Sequence, residues 1–448
     1  MFQTIRNAWK IADLRKKMLF TLLIVVIFRI GAAISVPFVD VADVARAAGA
    51  NGALDFLTML SGGGFSDASL FALSVTPYIN ASIIIQLLTV AIKPLENWAK
   101  EGEAGRKKLG QLTRYCTVGL GLLLGVAYYF MVRYNYGALV PEATKGFGQW
   151  FAGAVIVLCF TAGSALMMWL GEQINEKGIG NGISILLFAG IISGLPNALK
   201  MLWNRFYTYG LEPILSTGKA SGTYIWYMVS APLIILLFLA MVMFIVYITD
   251  AERHIPVQYA KRIVGRKQYG GQNTFIPIKV NMSGVMPIIL AVSIISLPSI
   301  IARFIHGDEY YTRMASTWIG QCFLQDSWVY ILLYFLMIVG FAFFYVTIQY
   351  NPMEMANNLR KNSGAIPGYR PGKPTSDYIK RVINKVTLIG ALCLGVVALF
   401  PAVFGKFAGV YELTIGGTSL MIVVGVALET VQQIESQMMM RHYKGFLE

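Results

Sequence analysis

"FLTMLSGGGFSD", residues 56–67, begins as an apolar helix and then stops. Phe56, Leu57, Met59 and Leu60 make a turn or two. Gly62, Gly63 and Gly64 then interrupt it, before a second apolar segment takes over. At ~1.5 Å per residue the first piece covers about 10 Å, against a hydrocarbon core of roughly 30 Å. It cannot cross a membrane. Backbone that enters a bilayer without spanning it survives only when enclosed by protein or lining an aqueous cavity. The alternative is an interfacial helix lying on the surface.

The rest of the chain makes the membrane its setting. Of 448 residues, 56% are hydrophobic and 13% charged, where a soluble domain is about a quarter charged. Apolar runs of spanning length recur throughout, predicting ten spans near 18–37, 74–92, 114–133, 152–171, 183–202, 225–249, 284–304, 328–350, 386–405 and 411–432. The basic first 17 residues and the length of 18–37 predict an uncleaved first span rather than a signal peptide. An even number of spans places both termini on one side. The segments on that side hold 27 Lys and Arg and the opposite ones 9, which predicts cytoplasmic termini. The net charge of +14 is therefore gathered on one face, suited to anionic lipid heads and acidic partners.

Two loops on that face are too long for simple connections. One, 250–283, carries "PVQYAKRIVGRKQYGGQ", where β-formers around a Gly pair predict a protruding hairpin. The other, 351–385, carries "NPMEMANNLRKNSGAIPGYRPGKPTSDYIKR", where Pro367, Pro371 and Pro374 around Gly368 and Gly372 predict a rigid cationic turn. Both read as a docking surface for something large and soluble, beside their ordinary role as orientation signals.

Absences narrow the function. Ion-coupled transporters place ionisable groups inside their spans. Here Arg29 is the main one, either a functional charge or a residue that snorkels or binds backbone carbonyls, while Glu172 and Glu429 sit near span ends. There is no HExxH, GxSxG or P-loop, and the four scattered cysteines have no metal-ligand spacing and no disulfide pattern. No catalytic residue, metal site or cofactor is expected. A pathway for something that needs no fixed charge partner fits; a secondary transporter is the runner-up and an intramembrane enzyme a distant third.

"GGGFSDASLFALSVTPYINASIIIQLLTV" (62–90), "EGEAGRKKLGQLTRY" (101–115), "WLGEQINEKGIGNGISILLFAGI" (169–191), "PVQYAKR" (256–262), "SGAIPGYRPG" (363–372) and "GGTSLMIVVGVALE" (416–429) resemble the SecY family, channel subunits of the bacterial protein-secretion translocon. The resemblance implies an all-α, polytopic membrane fold: ten transmembrane helices in two pseudo-symmetric five-helix halves, closing as a clamshell, with a short plug helix. The halves would be 1–202, with the plug at about 54–66, and 203–432, with a tail at 433–448. It implies a channel for unfolded secretory polypeptides that also releases transmembrane segments sideways into lipid. Its pore ring would be Val75, Ile79, Ile183, Leu187, Ile289 and Ile422, its lateral gate Asn80, Ile83, Gln86, Ser293, Ser296 and Leu297. Lys261, Arg262 and Arg370 would receive the ribosome or the SecA motor ATPase. The small subunits SecE and SecG, signal-peptide-bearing precursors and membrane lipid complete the implied partners, and the bacterial cytoplasmic membrane the location.

Overall fold

The computed structural model describes the chain except residues 1, 50–57, 59–60, 136, 141–146, 212–221, 260–261, 265–266, 270–272, 296–326, 409–416 and 445–448. In chain order its helices are α1 (Phe2–Lys10), α2 (Ala12–Ala33), α3 (Val41–Gly49), α4 (Thr76–Ala91), α5 (Lys93–Lys100), α6 (Glu103–Phe130), α7 (Phe147–Lys177), α8 (Gly182–Ser193), α9 (Leu195–Phe206), α10 (Gly222–Asp250), α11 (Met286–Ile295), α12 (Trp328–Gln349), α13 (Pro352–Lys361), α14 (Lys373–Ala408) and α15 (Gly417–Lys444). Among the described residues six helical stretches, α8 and α9 together counting as one, are long and apolar enough to span a membrane, and α4 with α5 makes a seventh bent by 102°. The first and tenth predicted spans fall on α2 and α15, and the seventh on α11, beyond which 296–304 lies outside the described residues. The architecture is all-α and polytopic.

Local chemistry sets the boundaries. Pro94 stands in the first turn of α5, so the chain turns at Ile92 and leaves α5 as a short amphipathic helix. Its Glu96 accepts a hydrogen bond from Lys100 at 2.6 Å, which holds that carboxyl below the usual range. The fifth predicted span, 183–202, is two helices joined at Gly194, with Pro196 opening the second. The third, fourth and ninth run well past their predicted limits: α6 has 28 residues, α7 has 31 and α14 has 36.

Apolar burial does not drive helix against helix in lipid, because lipid tails are as apolar as leucine. Leu236, Met243, Leu332 and Leu336 accordingly stay exposed on the helix flanks. Close approach comes from small residues instead. α6 meets α7 where Gly121 abuts Ser164 and Gly125 abuts the Val157 carbonyl.

The basic face departs furthest from the sequence reading. β1 (Glu252–Tyr259) pairs antiparallel with β4 (Asn273–Lys279), and β2 (Arg262–Val264) pairs with β3 (Lys267–Tyr269), so the hairpin forms. Val264 pairs with Lys267, ahead of the Gly pair at 270–271, which is outside the described residues. The second loop is mostly helix. Asn351 caps α13, its side chain accepting from the Met353 and Glu354 amides, and α14 starts at Lys373. Between them β5 (Gly364–Ala365) adds to the hairpin, with Gln258 opposite Ala365 and Tyr259 opposite Gly364. The two basic loops are one three-stranded platform.

A Cβ at Gly163 of α7 would run into the Leu70 carbonyl, whereas one at Gly119 of α6 meets nothing within 4 Å. Gly163→Val is expected to lower stability by about 2 kcal/mol or more. Gly119→Ala should leave it unchanged or raise it by up to ~1 kcal/mol. Thermal unfolding in detergent, followed by intrinsic fluorescence, checks both.

Candidate functional site

The six aliphatic residues expected at a constriction meet in one hydrophobic cluster, although they come from α4, α8, α11 and α15. Val75, Ile79, Leu187 and Ile422 are each less than a tenth exposed, and Ile183 and Ile289 pack against them. Val75 is not within its helix: it occupies the cap position before Thr76, and its carbonyl accepts the Ile79 amide at 3.0 Å. Ile183 and Leu187 are one turn apart on α8, whose start is firmly fixed. Asn175 Oδ1 accepts from the Gly182 amide at 2.8 Å and Asn181 Oδ1 from the Ile183 amide at 3.2 Å. Gly182 lies so close to the Gly171 carbonyl that no side chain fits there, which brings α8 tightly back along α7.

Beside this cluster runs the glycine-interrupted segment at 61–75. Phe56, Leu57, Met59 and Leu60 lie outside the described residues. Residues 61–75 form a series of turns, where a plug helix was expected to extend to 66. Several of their backbone groups are met by protein, while the buried Ser69 hydroxyl has no hydrogen-bond partner among the described residues. The Val36 amide donates to Ala68 O at 2.9 Å, Leu70 N to Ile34 O at 2.8 Å and Tyr128 Oη to Phe65 O at 2.7 Å. Phe71 fits against Gly31 and stacks on Phe28, and Leu70 presses on Gly163. Gly62 and Gly63 take left-handed backbone (φ 66° and 91°), which glycine adopts without steric cost. Ala68 and Ser74 also do so (φ 44° and 50°), a strain of order 1 kcal/mol each that the surrounding contacts hold in place.

Arg29 has a defined partner. Its Nη1 donates to the Gly62 carbonyl at 3.1 Å; Ser193 Oγ at the end of α8, whose shorter bond at 2.6 Å goes to Gly190 O of its own helix, lies 3.2 Å from the same oxygen. Of the two readings left open by the sequence, binding a backbone carbonyl is the one seen. Glu172 is likewise joined to Arg114 at 2.8 Å.

The remaining expected residues are placed as follows. Asn80, Ile83 and Gln86 on α4 and Ser293 on α11 are half-buried, while Ser296 and Leu297 lie outside the described residues. Arg262 stands in β2 opposite Tyr269, and Lys261 lies outside the described residues. Arg370 is exposed in the turn before α14, its carbonyl accepting from Thr375 Oγ1 at 2.8 Å. Among the described residues no group of three or more His, Cys, Asp or Glu could hold a metal ion.

A family model, SecY, matches residues 69–431. The chain is 43% identical to protein translocase subunit SecY of Halalkalibacterium halodurans and 41% to that of Bacillus subtilis, each alignment covering all of both chains. The chain belongs to the SecY family. Its fold is similar to solved structures of that architecture. One is described as the structure of a protein conducting channel (TM-score 0.62, 17% identity, covering 94% of this chain and 92% of that one). Another is Sec61 in the canine ribosome-channel complex from the endoplasmic reticulum (TM-score 0.58, 16% identity, 94% and 92% covered). SecY-family members are protein translocase subunits. Within this one, reading the sequence missed Ser193 and the asparagine caps of α8. The "NEKGIGNGIS" run, with Asn before a glycine-flanked helix start, was the available signal.

A charge-assisted hydrogen bond contributes about 1.5–3 kcal/mol. Arg29→Ala is therefore expected to raise hydrogen exchange of the amides of residues 63–69 by about tenfold or more. Ser193→Ala should raise it less. Exchange read by mass spectrometry tests the order.

Proposed function

We propose that this chain conducts unfolded secretory polypeptides across a membrane, through a closed aliphatic ring of Val75, Ile79, Ile183, Leu187, Ile289 and Ile422. The observation that carries the reading is the convergence of six aliphatic side chains from separate elements into one buried cluster, beside a non-spanning segment enclosed by protein. Side chains of every kind must pass such a channel, so a charged filter is unsuitable. Flexible aliphatic groups seal by excluding water and give way without losing hydrogen bonds.

The rest of the assignment follows from the same reading. The segment around Gly62 to Gly64 serves as the plug. α4 and α6 on one side and α11 and α12 on the other form a lateral gate, through which apolar segments leave into lipid, with Asn80, Ile83, Gln86, Ser293, Ser296 and Leu297 along it. The platform of β1, β4 and β5, with Lys261, Arg262 and Arg370, receives the ribosome or the SecA motor ATPase. Guanidinium and ammonium groups suit both RNA phosphates and acidic protein surfaces. Two structurally similar channels are described in ribosome complexes, canine Sec61 and yeast Ssh1, which supports the ribosome as partner. SecE and SecG would complete the channel in a bacterial cytoplasmic membrane with both termini cytoplasmic. The sequence carries no HExxH, GxSxG or P-loop, and in this reading the energy comes from those partners.

A disulfide test addresses the ring. Cys116, Cys159, Cys322 and Cys393 are replaced, Ile79→Cys is introduced, and a secretory precursor with a single cysteine is stalled midway. The expected result is a crosslink that depends on precursor length and on the motor. Export without a crosslink would remove Ile79 from the ring. In a second test, Arg370→Ala is expected to weaken motor-driven export about tenfold while leaving thermal stability unchanged, because the side chain is exposed.

A further inference from the structure

On the basic side of the ring a cavity of about 380 Å³ opens between the end of α7, the start of α8 and one face of α15. Asn175, Asn181, Ser184, Glu429, Thr430 and Gln433 line it, and Val426 joins it to the ring cluster. Glu429 is seven residues beyond Ile422 on the same helix, so the two share a face about 10 Å apart. The cavity is thus two helical turns from the constriction, on the line a polypeptide would follow.

We propose that this cavity is a subsite for a lysine or arginine side chain of the polypeptide being conducted, with Glu429 as its counter-charge. The inference rests on the conducting role proposed above. Glu429 brings the one acidic side chain to the lining, and among the described residues no ion pair ties it down. Lys279 lends Glu429 a favourable charge from nearby but makes no ion pair with it: its Nζ donates to Gln432 Oε1 at 3.0 Å, and Gln432 Nε2 donates to Asp250 Oδ1 at 3.4 Å, so the carboxyl itself stays open to the cavity.

The start of α8 would by itself attract an anion. That capacity is already used, because the side-chain oxygens of Asn175 and Asn181 take the Gly182 and Ile183 amides. What those two asparagines have left is their NH2 groups, which suit peptide carbonyls. Thr430 Oγ1 is turned to its own helix, donating to Val426 O at 2.7 Å. The cavity therefore offers amide donors for a backbone and a single carboxylate for a cation.

The setting gives that carboxylate a use. The chain carries a net charge of +14, biased to this face, and repels a basic segment over most of its approach. Segments addressed for export carry a basic stretch ahead of an apolar one. A cation held at Glu429 leaves the following apolar residues at the ring and at α4.

The test uses the full chain with its translocation partners in membrane vesicles. Three precursors differ only before the apolar stretch, carrying lysines, glutamines or glutamates there. Glu429→Gln is expected to lower export of the lysine precursor about fivefold and that of the glutamine precursor by less than about twofold. Glu429→Lys is expected to improve export of the glutamate precursor over the unchanged chain. Equal loss of the lysine and glutamine precursors would make Glu429 a structural residue, and loss of neither would remove the subsite; either result overturns the proposal. An unchanged chain that passed none of the three would overturn the conducting role itself, and the subsite with it.

Discussion

Peptide groups that lipid cannot hydrogen-bond set the terms for the first half of this protein. Residues 61–75 sit among the membrane helices without forming one, so their amides and carbonyls need partners from the rest of the chain. Ile34, Val36 and Tyr128 supply some of them, and Arg29 and Ser193 converge on the Gly62 carbonyl. The requirement propagates outward. Gly31 and Gly163 must be glycine because Phe71 and Leu70 occupy the space a side chain would take. The segment also ends at Val75, so the seating of the turns fixes where α4 begins and where Ile79 stands in the ring cluster. A single arginine in an otherwise uncharged span is intelligible on the same footing: its cost is offset by a carbonyl that would otherwise be under-satisfied.

The membrane half of the problem was open to reading and the basic face much less so. Hydropathy located the spans because a bilayer forces long uninterrupted apolar runs, and it placed even the short α11. It failed at ends. The third, fourth and ninth helices continue into polar sequence, which hydropathy scores as loop although helical hydrogen bonding carries on through it. Gly194 and Pro196 signal the break between α8 and α9, but apolar residues on both sides mask it. The pairing of β5 with β1 left no local trace. Two residues, Gly364 and Ala365, join a strand about a hundred residues earlier, and no periodicity can show that.

The aliphatic cluster was legible only through resemblance. Val75, Ile79, Ile183, Leu187, Ile289 and Ile422 are ordinary aliphatic residues in a chain full of them, and their meeting depends on how four elements cross. Arg29 was conspicuous in the sequence yet its partner was not, since the Gly62 carbonyl is brought to it by turns that hydropathy does not describe. The α8 caps show the reverse case. Asn181 before Gly182 is a local signal with a local cause, and Asn175 adds a second bond from across the turn.

Helix α14 leaves the turn that carries Arg370 and runs 36 residues, about 54 Å, with Pro401 in its last two turns. Near its middle Gly390 rests against the carbonyl of Val280, and the Val280 amide closes the base of the hairpin by bonding to Ala251 O at 2.8 Å. That contact divides the helix into two arms, each ~26 Å long. The membrane helix and the hairpin base therefore share one close backbone contact, and the turn carrying Arg370 is tied to the platform at both its own end and the middle of the helix that leaves it.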